Sequence, residues 1–247
     1  MALTDKVEIP RRTMVLFFIV DTSGSMEGDK IGSVNTAIRE VVPEIRDISN
    51  ENADALIKIA VLEFSSGVKW LTPNGPVDVN NYNWTNIDAA GTTDFGAACR
   101  ALNEKLSTKA FMLEATGSFA PALFLISDGE PTDDGWEKEL DKLKQNNWFK
   151  ASVKVALAIG NDANKDVLKA FTSSMETVVE VHNKAMLIKM IKFVSVRASQ
   201  VASKSSNTVD SSQGDTDDQA KQAELAQNLI ELKEEIASDP AADQEEW

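Results

Sequence analysis

Asp21, Ser23 and Ser25 alternate within the run Asp21-Thr22-Ser23-Gly24-Ser25, so one turn offers a carboxylate and two hydroxyls. Gly24 lets the backbone bend there with no side chain in the way. A second carboxylate, Asp128, stands in Ser127-Asp128-Gly129, and a further hydroxyl, Thr93, in Gly91-Thr92-Thr93-Asp94. Brought together, these donors are all hard oxygens, without sulfur or imidazole. Such a set suits Mg²⁺ or Mn²⁺, with Ca²⁺ as the other candidate, and waters completing the shell. Capping of a following helix is the simpler reading of Thr93 taken alone, and Asp94 is a natural N-cap. Asp21 and Asp128 are different. Two carboxylates in one crevice repel each other and lose hydration, which a bound cation explains better than capping does.

The surrounding pattern gives these residues their places. Met14–Val20 is a continuous apolar run, the mark of a central strand covered on both faces, and it ends directly in Asp21. Ile31, Val34, Ile38, Val41, Ile45 and Ile48 follow at helical spacing, with Pro43 predicting a kink or an early end. Ile57–Phe64 reads as a second strand, turning at Ser65-Ser66-Gly67 into a short antiparallel edge strand, Val68–Leu71. After an Asn-rich loop, Phe95, Cys99, Leu102 and Leu106 mark one helix face. Strands are predicted at Ala122–Ser127, Val153–Ile159 and Thr177–Val181. Helices are predicted at Trp136–Asn147, Asp166–Thr172 and over Leu187, Met190, Ile191, Val194 and Ala198. The expected fold is therefore α/β: a doubly wound, Rossmann-like, mostly parallel sheet with one antiparallel edge strand and helices on both faces. In such sheets functional groups gather at the carboxyl ends of the strands, where strand order reverses.

Composition narrows the chemistry. The chain has 247 residues, and 25 basic against 39 acidic side chains give it a net charge of −14. That balance argues against nucleic acid and anionic membrane surfaces as partners. A single cysteine, Cys99, excludes an internal disulfide, and a single histidine, His182, excludes paired-histidine metal sites. With no apolar run of membrane-spanning length and no secretory pattern, the expected compartment is the cytoplasm. The chain divides into a body, residues 1–200, and a tail, residues 201–247, made of an acidic linker and an amphipathic helix. The polar stretch 203–218 is the linker, and Leu225, Leu229, Leu232 and Ile236 form the helical stripe beyond it. From Gln200 onward twelve acids face three bases, a net of −9, so the body carries only −5.

The run Phe17-Phe18-Ile19-Val20-Asp21-Thr22-Ser23-Gly24-Ser25-Met26 resembles the Asp-x-Ser-x-Ser signature of von Willebrand factor A domains, which carry a metal-ion-dependent adhesion site. Thr93 falls where that family places its metal-binding threonine, and Asp128 where it places its second aspartate. The resemblance covers residues 13 to about 200. It departs at Thr92, where the family usually has a second glycine. Residues 127–136 further resemble bacterial tellurium-resistance-type A domains. The resemblance implies direct ligation by Ser23, Ser25 and Thr93, with Asp21 and Asp128 acting mainly through water. It also implies a protein partner whose Asp or Glu completes the coordination, with a bacterial stress or tellurite-resistance setting.

Candidate rim contacts for that partner are Met26, Glu27, the Asn80–Trp84 loop and Pro131–Trp136, with core filling an equal reading of both tryptophans. The rival reading is a magnesium-assisted enzyme acting on a phosphorylated or acidic substrate. Against catalysis, a dehalogenase-type phosphatase would want an aspartate where Ser23 stands. No glycine-rich dinucleotide loop, phosphate loop or nucleophile elbow is present either. Cys99 reads as a core thiol and His182 as a packing or surface residue. The tail stripe could fold back on the body, pair with another chain or stay a solvated acidic segment with transient helix, and its acids Asp239, Asp243, Glu245 and Glu246 could reach the metal site of a second molecule, giving self-association or autoinhibition.

Overall fold

The computed structural model describes residues 11–53, 55–113, 117–161, 163–181, 183, 185–193, 223–224 and 226–232. His182, Val194, Ala198, the 203–218 linker, Leu225, Ile236 and the four acids near the chain end lie outside the described residues.

The apolar run that predicted a central strand forms β1 (Arg12–Asp21), and its side chains alternate between two cores. Met14, Leu16, Phe18 and Val20 join one buried cluster, while Val15, Phe17 and Ile19 join the other. A strand reads as continuously apolar only when both faces are covered, and here both are. The remaining strands are β2 (Ala55–Phe64), β3 (Val68–Trp70), β4 (Val77–Asp78), β5 (Ala122–Ser127), β6 (Val153–Ile159) and β7 (Val178–Val181). The sheet runs β3-β2-β1-β5-β6-β7, and every neighbouring pair from β2 to β7 is parallel. β3 forms the antiparallel edge on β2, and the two-residue β4 also pairs antiparallel with β2.

Helices cover both faces. On one lies α1 (Asp29–Glu51), with the helical stretch 185–193, whose Leu187, Met190 and Ile191 are fully buried. On the other lie α2 (Phe95–Lys105), α3 (Trp136–Lys144), α4 (Asn147–Ala151) and α5 (Lys165–Thr172). Each fully buried Leu, Ile, Val or Phe in these layers contributes roughly 1.5–3 kcal/mol, which is why the periodic apolar positions dominate the architecture.

Two expectations need correction. Of the kink or early end predicted at Pro43, the early end does not occur: α1 runs through it, with Pro43 on the exposed side while Val41, Val42 and Ile45 hold the buried face. The helix expected over Trp136–Asn147 breaks in two, since Asn146 turns its side chain to cap Trp148 and Phe149 and starts α4.

The chain leaves β1 toward β2 and β3 on one side and later crosses to β5, β6 and β7 on the other. Strand order therefore reverses between β1 and β5, and the crevice there opens at their carboxyl ends. Asp21 ends β1, and Asp128 follows the last residue of β5. Among the described residues no helix is long and apolar enough to cross a membrane.

Candidate metal centre

Asp21 is the last residue of β1, held in register opposite Phe64 of β2, and it is fully buried. Its carboxylate is gripped on both oxygens: Oδ1 accepts from the backbone N–H of Ser23 at 2.9 Å, and Oδ2 accepts from Ser127 Oγ at 2.6 Å. Burial pushes its carboxyl above the ordinary value. The hydrogen bonds from Ser127 and Ser23 pull it back, and the charge of Asp128 adds to the upward push. The chain then bends, and a one-turn 3-10 helix at Gly24–Met26 brings Ser25 Oγ to 3.0 Å from Ser23 Oγ. Ser23 is buried and Ser25 is exposed, so the hydroxyl pair runs from the floor of the crevice to its mouth.

Asp128 is 2% exposed, and its Oδ1 has no hydrogen-bond partner among the described residues. An unpaired buried carboxylate oxygen is costly unless something positive approaches it. Its other oxygen, Oδ2, lies 3.5 Å from Lys30 Nζ in the first turn of α1. The turn beyond it requires Gly129. There φ is +74°, and a Cβ would sit 2.5 Å from the carbonyl oxygen of Asn164. Asn164 N–H donates back to the Asp128 carbonyl, so this turn is pinned to the start of α5.

Thr93 is buried at 4% exposure, in the segment leading into α2. It does not cap that helix. Asp94 does, accepting from Ala97 N–H, as its position predicts. Thr93 is instead clamped to the loop that follows Asp128. Its N–H donates to Thr132 Oγ1 at 2.9 Å, and its carbonyl accepts from Thr132 N–H at 2.9 Å. Asp133 completes the clamp, with Oδ1 and Oδ2 accepting from the N–H groups of Phe95 and Gly96. A third set of bonds ties this segment to the Asp21 loop: Gly24 N–H to Gly91 carbonyl at 2.9 Å, and Ala90 N–H to Thr22 carbonyl at 2.8 Å. Thr92, the departure from the familiar pattern, is accommodated by Ser66, whose Oγ accepts from Thr92 N–H and bonds its hydroxyl.

The five expected residues thus sit on three loops that are hydrogen-bonded to one another at one end of the sheet. Ser127 and Lys30 are further members that sequence reasoning did not single out, and Thr132 and Asp133, expected only as rim contacts within Pro131–Trp136, serve as the clamp. Among the rim candidates Met26 is corrected: it is fully buried in the core on the α1 side, an apolar plug beneath the turn. Trp84 and Trp136 are half-buried. Trp84 Nε1 donates to Asn35 Oδ1, and Trp136 packs on Phe95 with ring centres 5.7 Å apart.

The donor set fits a hard divalent ion. Hydroxyls supply neutral oxygens, Asp21 stands behind them with both oxygens already engaged, and Asp128 Oδ1 is unsatisfied without a cation. Among the described residues no three His, Cys, Asp or Glu side chains group together, so a multi-carboxylate or thiolate site is not what is built here.

Comparison with known proteins agrees with this architecture. The family model for the von Willebrand factor type A domain matches residues 16–192. No curated protein matches the chain. Among solved structures, proximal thread matrix protein 1 from the mussel byssus, with a zinc-occupied MIDAS motif, has a TM-score of 0.55 at 16% identity, covering 76% of this chain and 48% of its own. A von Willebrand factor type A structure from Catenulispora acidiphila has a TM-score of 0.56 at 17% identity, covering 76% and 43%. The open conformation of the pilus adhesin SpaC from Lactobacillus rhamnosus GG has a TM-score of 0.59 at 14% identity, covering 77% and 30%. At these identities the likeness is one of fold, and the chain spans less than half the length of those three.

Proposed function

The chain belongs to the von Willebrand factor type A domain family, and from that premise we propose that it is a metal-dependent protein-binding module recognising an acidic residue of a partner. The observation that carries the reading is Asp128 Oδ1, buried and, among the described residues, without a hydrogen-bond partner. Ser23, Ser25 and Thr93 would hold the ion directly, while Asp21 and Asp128 would act chiefly through water. Both oxygens of Asp21 already accept hydrogen bonds, so it serves as a fixed negative charge behind the hydroxyls. When bound, a divalent ion supplies a positive centre with replaceable water positions to which an Asp or Glu can attach. The ordering of these loops by one another gives a docking face that needs little rearrangement, which favours affinity.

Hard oxygen donors favour Mg²⁺ or Mn²⁺, with Ca²⁺ also suited, and the zinc-occupied motif of the mussel protein supports a divalent ion in general terms. We read the site as one for binding and not for turnover, because the crevice hydroxyls bond each other while Asp21 is held by Ser127 and a backbone N–H. The link to tellurite or stress resistance rests on the sequence resemblance of residues 127–136 alone.

The test is calorimetry with Mg²⁺ and Mn²⁺ on wild type, Ser23→Ala and Asp128→Ala, with circular dichroism to confirm folding. Wild type is expected to bind one ion saturably, and each variant to bind at least tenfold more weakly, a loss of about 1.4 kcal/mol or more. No heat of binding by the wild type at concentrations up to about 10 mM, an order above weak oxygen-ligand sites, would overturn the proposal. Phosphoester turnover lost with the same variants would favour the enzyme instead.

A further inference from the structure

Lys30 occupies a position that helix energetics disfavour. It is the second residue of α1, where the partial positive charge of the helix N-terminus repels a cation. Yet its side chain is largely buried, 17% exposed, and its ammonium lies 3.5 Å from Oδ2 of the buried Asp128. A lysine held there is explained by what it faces and not by its own helix. Resting on the metal-site reading above, we propose that Lys30 is a resident cation that trades metal affinity for carboxylate affinity at this centre.

The charge count gives the reason. With Asp21 and Asp128 ionised and Lys30 protonated, the buried cluster is one charge negative. A divalent ion makes it one charge positive, and a single carboxylate from a partner then brings it to neutrality. Without Lys30 the loaded cluster would already be neutral and would draw an acid only weakly. The same ammonium repels the ion and competes with it for Asp128, so it must weaken metal binding. The neighbouring acids Glu27, Asp29 and Glu130 are exposed, where solvent and salt screen them, so they do not replace this balance.

The two effects have opposite signs, which makes the proposal testable on the full-length protein. Mn²⁺ affinity is read by electron paramagnetic resonance of the free ion, and carboxylate binding by the Mn²⁺-induced relaxation of acetate methyl protons. Wild type, Lys30→Gln, Lys30→Met and Lys30→Arg are compared, each shown to melt cooperatively. Lys30→Gln and Lys30→Met are expected to bind Mn²⁺ about tenfold more tightly, and acetate on the loaded site at least about threefold more weakly. Lys30→Arg, which keeps the charge, should stay near wild type in both. Unchanged or weaker Mn²⁺ binding by both neutral variants, with wild type still binding, overturns the role of Lys30 and leaves the metal-site reading intact. Tighter Mn²⁺ binding with undiminished acetate binding overturns the carboxylate half of the trade. A wild type that binds no Mn²⁺ overturns the metal-site reading, and this proposal with it.

Discussion

Asp21 is buried with hydrogen bonds from Ser23 and Ser127, and burial still dominates, so its carboxyl titrates above the ordinary value. The folded protein therefore keeps this proton to a higher pH than the unfolded chain does. The stability contributed by protonated Asp21 is full below the ordinary carboxylate value and is lost as pH rises through the raised one. In chelator, Asp21→Asn should escape that loss. Its melting temperature should exceed that of wild type at neutral pH, with the gap closing in acid. Each kcal/mol of relief corresponds to roughly 2–4 °C at this size, so a difference of a few degrees is expected. In excess Mg²⁺ the order should reverse, because only wild type gains from the ion. Identical melting curves across pH in chelator would show that the buried charge is already compensated. Asp21 and Asp128 were legible because Asp21 directly follows an unbroken apolar run and Asp128 follows one after a single serine, which puts each at the carboxyl edge of a buried strand. Ser127 was not legible as a partner of Asp21: the two are 106 residues apart, and no local spacing encodes a bond between adjacent strand ends. Lys30, and the bonds by which Thr132 clamps Thr93, escaped for the same reason. Met26 misled in the other direction, since its polar neighbours suggested a surface turn while its own side chain fills the core below.

The position of Thr93 is decided by whole elements. α2 is capped from two sides, by Asp94 within its own segment and by Asp133 from the loop after β5, so the helix start and that loop move together. Removing the far cap should both weaken the helix and loosen Thr93. Asp133→Ala is expected to lower stability by about 1–2 kcal/mol in urea denaturation, within the usual range for lost N-terminal caps. It should also weaken Mn²⁺ binding several-fold, although Asp133 is not one of the expected ligands. Unchanged Mn²⁺ affinity with reduced stability would mean that the Thr132 bonds alone place Thr93. The cap from Asp133 lies 38 residues from Phe95 and could not be read in advance, whereas Asp94 could, being adjacent to the helix it caps. Elements with a full apolar face were likewise legible. β4 and α4 were not, because a two-residue strand and a five-residue helix are too short to carry a period. α1 passes through Pro43 because its apolar stripe continues on both sides of it, and burial of that stripe outweighs one missing backbone donor.

At the scale of the whole chain, the described part of the tail packs on the body. Residues 223–224 and 226–232 are helical, Leu229 is fully buried in the core on the α1 side, and Leu232 packs partly against it. The spacing of the stripe announced an amphipathic helix but could not say which surface receives it, because the cluster that Leu229 joins is assembled from distant elements, α1, the sheet and residues 185–193. A helix docked from a distant part of the chain differs from a strand inside the sheet: it can leave as a unit. A Leu→Ala change at Leu125, in the middle of β5, is expected to lose about 2–5 kcal/mol, since nothing can detach to relieve the cavity. At Leu229 the loss cannot exceed the free energy of docking the tail, because beyond that value the segment undocks. Leu229→Ala, Leu229→Asp and deletion of residues 203–247 should therefore approach one shared, smaller loss in urea denaturation, with Leu229→Asp and the deletion coinciding. Limited proteolysis should cut the tail of Leu229→Asp while sparing the body. The apolar patch bared by the deletion should promote self-association, seen as concentration-dependent elution in size-exclusion chromatography. A Leu229→Asp loss clearly larger than that of the deletion would mean that the tail cannot leave, and that the body and tail fold as one cooperative unit.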